Sequence, residues 1–120
     1  MRYDENFVVA VDFDGTIAKG STFGSTGTLD TEARDVLKEL KALGCVLVLW
    51  TCREGDDLEE AIGLLDRWGV PMDYFNEYPL RNGNPKVNAD FYIDDKAWTG
   101  PIDWAAVRDH VKELKDNASV

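Results

Sequence analysis

The chain alternates between short unbroken apolar runs and longer stretches in which apolar residues recur every three or four positions. Phe7-Val8-Val9-Ala10-Val11 is continuous and β-branched, the pattern of a strand covered on both faces. Residues 15–28, rich in Gly, Ser and Thr, predict a long loop or small hairpin. Asp30 stands where a helix N-cap belongs; Ala33, Val36, Leu37, Leu40 and Leu43 recur on one helical face, and Gly44 supplies the stop. Val46-Leu47-Val48-Leu49-Trp50 predicts a second buried strand. After the polar residues 51–56, Leu58, Ala61, Ile62, Leu65 and Trp68 mark a second helix, ended by Gly69 and Pro71. A short extended piece at Tyr74-Phe75 precedes a polar loop through Asn82-Gly83-Asn84-Pro85. Phe91-Tyr92-Ile93 is a third strong strand, and Asp103 caps a last helix with Trp104, Val107, Val111 and Leu114 facing inward.

Strand and helix in alternation predict an α/β fold: a three-layer Rossmann-like sandwich, with a central parallel sheet and helices on both faces. In such sheets the ligand site lies beyond the carboxyl ends of the strands. Polar groups gather there. The first strand runs into Asp12-Phe13-Asp14-Gly15-Thr16, the second into Thr51 and then Arg53, and the third into Asp94-Asp95, with Lys86 in the loop before it. Singly, each has a structural explanation, since Asp-Gly is a common turn signal. Together they are harder to dismiss. Carboxylates about 5 Å apart repel by roughly 3 kcal/mol per pair at an effective dielectric of 20. A divalent cation offsets that cost, and hard oxygen donors beside a phosphate suit Mg²⁺.

Composition narrows the partners. The 120 residues carry a net charge of −10, which argues against an extended nucleic-acid surface. Length predicts a single domain over residues 1–120. No apolar stretch is long enough to span a membrane, and the first apolar run is too short and too soon followed by Asp12 for a signal-peptide core; a cytoplasmic protein is the expectation. Cys45 and Cys52 flank one strand and stand roughly 20 Å apart, beyond disulfide reach. Free thiols, buried or half-buried, are expected.

The four strand-end groups, in this order, resemble the motifs of the haloacid dehalogenase (HAD) superfamily. Asp12-Phe13-Asp14-Gly15-Thr16 matches the Asp-x-Asp-Gly-Thr motif residue for residue. Thr51 after a hydrophobic strand, Lys86, and Asp94-Asp95 within Tyr-Ile-Asp-Asp-Lys stand where the second, third and fourth motifs fall. Trp50-Thr51-Cys52-Arg53-Glu54-Gly55 and Gly100-Pro101-Ile102-Asp103-Trp104 also look like a group of short bacterial HAD proteins regarded as candidate phosphatases. The resemblance implies a phosphoric monoester hydrolase. Asp12 is then the nucleophile that forms an aspartyl-phosphate, and Asp14 is the acid that protonates the leaving group and the base that activates water. Thr51 and Lys86 bind phosphoryl oxygens. Mg²⁺ is held by Asp12, the backbone carbonyl of Asp14, and Asp94 and Asp95, with Asp95 expected as the direct ligand and Asp94 behind it.

Spacing adds a further expectation. The first and second motifs are 39 residues apart and the second and third 35, which leaves no room for an inserted cap domain. A capless site needs other cover: residues 20–28 as a small flap, or a neighbouring subunit of a homo-oligomer. The substrate is a phosphorylated compound whose identity the motifs do not specify. Arg53 has two readings, contact with a substrate anion or a surface ion pair. Lys19 and Arg81 are weaker candidates for substrate contact, Lys96 competes with Lys86, and Trp98 is placed at the rim; His110 reads as a surface residue. Two other functional classes share these ingredients. A receiver-like signalling domain also uses Asp, Thr and Lys at strand ends, but its phospho-acceptor ends a middle strand, where this chain has Thr51. An inactive HAD-like binding module keeps the pocket without turnover.

Overall fold

The computed structural model of the chain describes residues 7–19, 27–76, 89–93 and 102–118. It is a mixed α/β arrangement around a four-stranded parallel sheet. The strands are β1 (Val8–Val11), β4 (Val46–Leu49), β5 (Tyr74–Phe75) and β6 (Phe91–Ile93), in the order β5-β4-β1-β6. Two further short strands, β2 (Ala18–Lys19) and β3 (Thr28–Leu29), pair antiparallel as a hairpin after β1. The helices are α1 (Thr31–Ala42), α2 (Gly55–Trp68) and α3 (Trp104–Ala118).

β1 is central, pairing Val8 to Val11 with Val46 to Leu49 on one side and Val11 with Ile93 on the other. Its unbroken apolar run follows from that position, because all four residues are buried and neither face tolerates a polar side chain. Alternate residues serve different clusters. Val9, Val11, Leu47, Leu49 and Ile93 pack with buried residues of all three helices, among them Leu37, Leu65 and Trp104. Val8, Ala10 and Val48 belong to a smaller cluster on the other face, edged by Trp50 and Tyr74. No described helix joins that smaller cluster, so the second helical layer expected from the sequence is not seen among the described residues. Handedness gives the reason for the shared face: β1 to β4 and β4 to β5 step in one direction, so right-handed crossovers put α1 and α2 on the same side.

Local chemistry sets the helix ends. Asp30 Oδ1 accepts from the N–H groups of Glu32 and Ala33, the expected N-cap of α1. Asp103 Oδ1 likewise accepts from Ala106 N at 3.1 Å. Two core expectations shift by a few positions. Leu43, expected inward, is the C-cap of α1 and is 43% exposed. Gly44 at φ +92° turns the chain, so that Cys45 enters the core instead. On α2 the fully buried positions are Ala61, Leu64 and Leu65, while Ile62 is half-buried.

Two aspartates at the amino end of the sheet are structural. Asp90 Oδ2 accepts from Val8 N at 2.7 Å, and Asp73 Oδ2 accepts from Leu47 N at 2.8 Å. Each satisfies a strand-end donor and extends the ladder, because the N–H of the same aspartate donates to the carbonyl of the same partner residue. Among the described residues, no helix is long and apolar enough to cross a membrane.

Candidate functional site

At the carboxyl end of the sheet the chain leaves β1 through Asp12, whose N–H still donates to the Ile93 carbonyl at 2.9 Å. Phe13 points the other way and is fully buried, so Asp12 and Asp14 share the half-buried side, as period-two alternation requires. Gly15 then takes φ +78°, open to glycine without a Cβ penalty. The turn is tightly tied. The Phe13 carbonyl accepts from the N–H groups of Thr16, Ile17 and Ala18, and Gly15 N donates to Ala18 O. Thr16 and Ile17 are buried beneath it, which fixes the backbone that carries both carboxylates.

β4 delivers Thr51 beside β1. Its N–H donates to Asn76 Oδ1 at 2.8 Å, and its Oγ1 accepts from Arg53 N at 3.2 Å. Asn76 was not singled out in the sequence, yet it ends β5, sits at φ +57° and donates its own N–H to Leu49 O at 2.7 Å. Its signal was available: an Asn just after an extended pair is the non-glycine residue most tolerant of a left-handed backbone. Asn76→Gly removes only the side-chain bond and is expected to cost about 1 kcal/mol of stability. Asn76→Ala adds left-handed strain of about 1–2 kcal/mol. Urea unfolding midpoints check the order; equal midpoints for the two variants would mean the backbone carries no strain.

Arg53 departs most from expectation. It is neither a surface pair nor an exposed anion contact, because its side chain has 0% exposure. Its guanidinium grips Asp14 side-on, Nε to Oδ2 at 2.9 Å and Nη2 to Oδ1 at 2.7 Å. Nη1 donates to the Asp57 carbonyl at 3.2 Å and to Glu60 at 3.4 Å, both on α2. The guanidinium also lies 4.9 Å from the Phe13 ring centroid, and Phe13 in turn stacks on Trp68. The hydrogen bonds to Asp14 push the Arg53 guanidinium above its ordinary value, against the opposing effect of burial, so it stays charged in the interior.

The remaining expectations divide. Lys86, Asp94 and Asp95 lie outside the described residues, as do Arg81, Lys96, Trp98 and residues 20–26 of the expected flap. Lys19 is exposed and pairs with Asp30 at 3.5 Å. His110 is exposed on α3, edge-on to Phe91. Both cysteines are free: Cys45 is buried, and burial raises its thiol. Cys52 is exposed, where a buried or half-buried thiol was expected; the turn after β4 sends Thr51 and Arg53 inward and leaves Cys52 between them facing out.

No protein-family model and no curated protein matches the chain. A solved structure does: a conserved protein from Bacteroides thetaiotaomicron, 32% identical, aligns with a TM-score of 0.79 over 90% of this chain and 91% of its own.

Proposed function

The chain belongs to the same family as that conserved Bacteroides thetaiotaomicron protein, and from the chemistry of its own strand ends we propose that it is a Mg²⁺-dependent phosphatase of HAD type, hydrolysing a phosphate monoester through an aspartyl-phosphate. One observation carries the reading. Asp12 and Asp14 leave the central strand side by side, at the sheet end where ligands of open parallel sheets bind. Thr51 leaves the neighbouring β4 at the same end, and the strand on the other side, β6, ends at Ile93, the residue before Asp94.

The donor set suits a hard cation. A carboxylate from Asp12 and the backbone carbonyl of Asp14 are oxygens of the kind Mg²⁺ takes. The Asp14 carboxylate is committed to Arg53, so the carbonyl is its natural contribution. Among the described residues no group of three or more candidate ligand side chains forms; Asp94 and Asp95 are the assigned remainder. A bound Mg²⁺ supplies charge neutralisation for the phosphate and for the nucleophile beside it.

The chain's own residues do the rest. Asp12 attacks phosphorus, and the alkoxide leaves with a proton from Asp14, a carboxylate that the Arg53 pair holds ionised in the substrate-free protein and that takes up this proton as the anionic substrate enters the site. Asp14 then removes a proton from the water that hydrolyses the acyl phosphate, which frees Asp12 and inorganic phosphate. Thr51, its backbone pinned by Asn76, donates its hydroxyl to a phosphoryl oxygen, and Lys86 neutralises another. Positioning and charge compensation of this kind make up most of phosphoryl-transfer catalysis. The motif spacing leaves no room for an inserted cap, so on this reading the site is open and residues 20–28 or a second subunit would cover it.

Steady-state hydrolysis of an aryl phosphate tests the reading. Multiple turnovers with Mg²⁺ and none with EDTA are expected. One stoichiometric phosphorylation without turnover would point to a receiver-like domain, and a folded protein that does not react at all to a binding module.

A further inference from the structure

Arg53 is the buried charge for which the phosphatase chemistry has no use. Burying a guanidinium without partners is costly, and this one is held by two carboxylates, a carbonyl and an aromatic face. Yet its partner Asp14 keeps 20% of its side-chain surface while Arg53 keeps none. A diffusing phosphate ester reaches the carboxylate and not the cation behind it. Resting on the phosphatase reading, we propose that Arg53 is a positioning residue for Asp14: it fixes the carboxylate at the edge of the site and ties that orientation to the first turns of α2.

The geometry supports a clamp over a point charge. Nε and Nη2 engage one oxygen each, at 2.9 and 2.7 Å, so the plane of the carboxylate is set by the plane of the guanidinium. The third nitrogen is anchored on α2 by Asp57 and Glu60, and the cation is braced against Phe13, the residue between the two site aspartates. Arg53 thus links the turn after β1 to α2. An acid that must face first a leaving-group oxygen and then a water gains from a fixed orientation, since misplacement by about 1 Å costs on the order of 10²-fold in rate. Lysine cannot replace the fork, because its ammonium is a single point of charge on a flexible stem.

Kinetics of an aryl phosphate with Mg²⁺, for Arg53→Met, Arg53→Lys, Asp14→Ala and the double Asp14→Ala/Arg53→Met variant, test the proposal. Arg53→Met is expected to lower kcat by roughly 10- to 100-fold with KM within about twofold, and Arg53→Lys to recover part of the loss. In the Asp14→Ala background the same Arg53 change is expected to have less than about a twofold effect, because nothing remains for it to position. A raised KM at unchanged kcat would make Arg53 a substrate contact and overturn the proposal. So would losses that multiply in the double variant. Unfolding of the same four variants without metal or substrate keeps the two failures apart. Coupled stabilities with an inactive wild type would sink the phosphatase reading and the catalytic role together; an active wild type with uncoupled stabilities would sink the clamp alone.

Discussion

Asp12→Asn is expected to reduce turnover of an aryl phosphate by about 10⁴-fold or more while leaving the protein folded. The amide keeps the volume of the carboxylate and one acceptor oxygen, but it does not attack phosphorus or form an acyl phosphate. Backbone bonds hold the frame of the site: Asp12 N–H donates to Ile93 O, and the turn that follows hangs on the Phe13 carbonyl. The urea midpoint should therefore shift by no more than about 1 kcal/mol, the net worth of a typical side-chain hydrogen bond. Retention of more than a tenth of wild-type kcat, with the same Mg²⁺ dependence, would remove Asp12 from the nucleophile's role. A loss of activity matched by a loss of folded protein would say nothing for it either, which is why both measurements belong together.

The frame that carries Asp12 was legible because its physics is local. A five-residue apolar run, Phe7 to Val11, that ends at Asp12 has few homes other than a central parallel strand, and β1 occupies that place with its four residues, Val8 to Val11, buried. The capping chemistry of Asp30 and Asp103 was readable for the same reason, a short polar side chain just before a periodic segment. Leu43 and Ile62 were misread because helical periodicity fixes a face only to within a residue or so at its edge. There the turn at Gly44 and the packing of Leu64 decided which side chain went in.

Of the candidate site, the placing of Asp12, Asp14 and Thr51 after the ends of two neighbouring strands was legible, and the relations between their side chains were not. Strand ends predicted that Asp12, Asp14 and Thr51 would meet at one edge of the sheet. The partnership of Asp14 with Arg53 spans 39 positions and depends on α2 starting at Gly55, so that Asp57 and Glu60 turn back toward the guanidinium. No spacing rule encodes that. Asn76 and the strand-end aspartates Asp73 and Asp90 are of the same kind: their bonds reach 25, 26 and 82 residues along the chain. Once the sheet order is known, each is a polar side chain that meets a strand-end donor, and before that each is one polar residue among many.

Asp14→Ala is expected to destabilise the metal-free protein by about 3 kcal/mol, the largest stability effect anticipated here, because it removes the bidentate partner of a buried cation. The value sits at the low end of the range for broken buried pairs, since Asp14 is partly exposed and Glu60 and the Asp57 carbonyl still hold Nη1. Arg53→Met is expected to cost less, about 1–2 kcal/mol: the carboxylate it abandons can hydrate, and a methionine fills the space between Phe13 and α2 with an apolar, polarisable side chain. The double variant buries no unpaired charge. It should therefore be no less stable than Asp14→Ala alone, which makes the coupling between the two sites about 1–2 kcal/mol, well above the 0.3–0.5 kcal/mol expected of independent positions. Urea unfolding of the four proteins at one pH and ionic strength measures it directly. Additive losses would mean that the two side chains, close as they are, do not stabilise each other; the charge of Arg53 would then be carried by α2, and the turn after β1 by its own backbone bonds to Phe13 O and between Gly15 and Ala18.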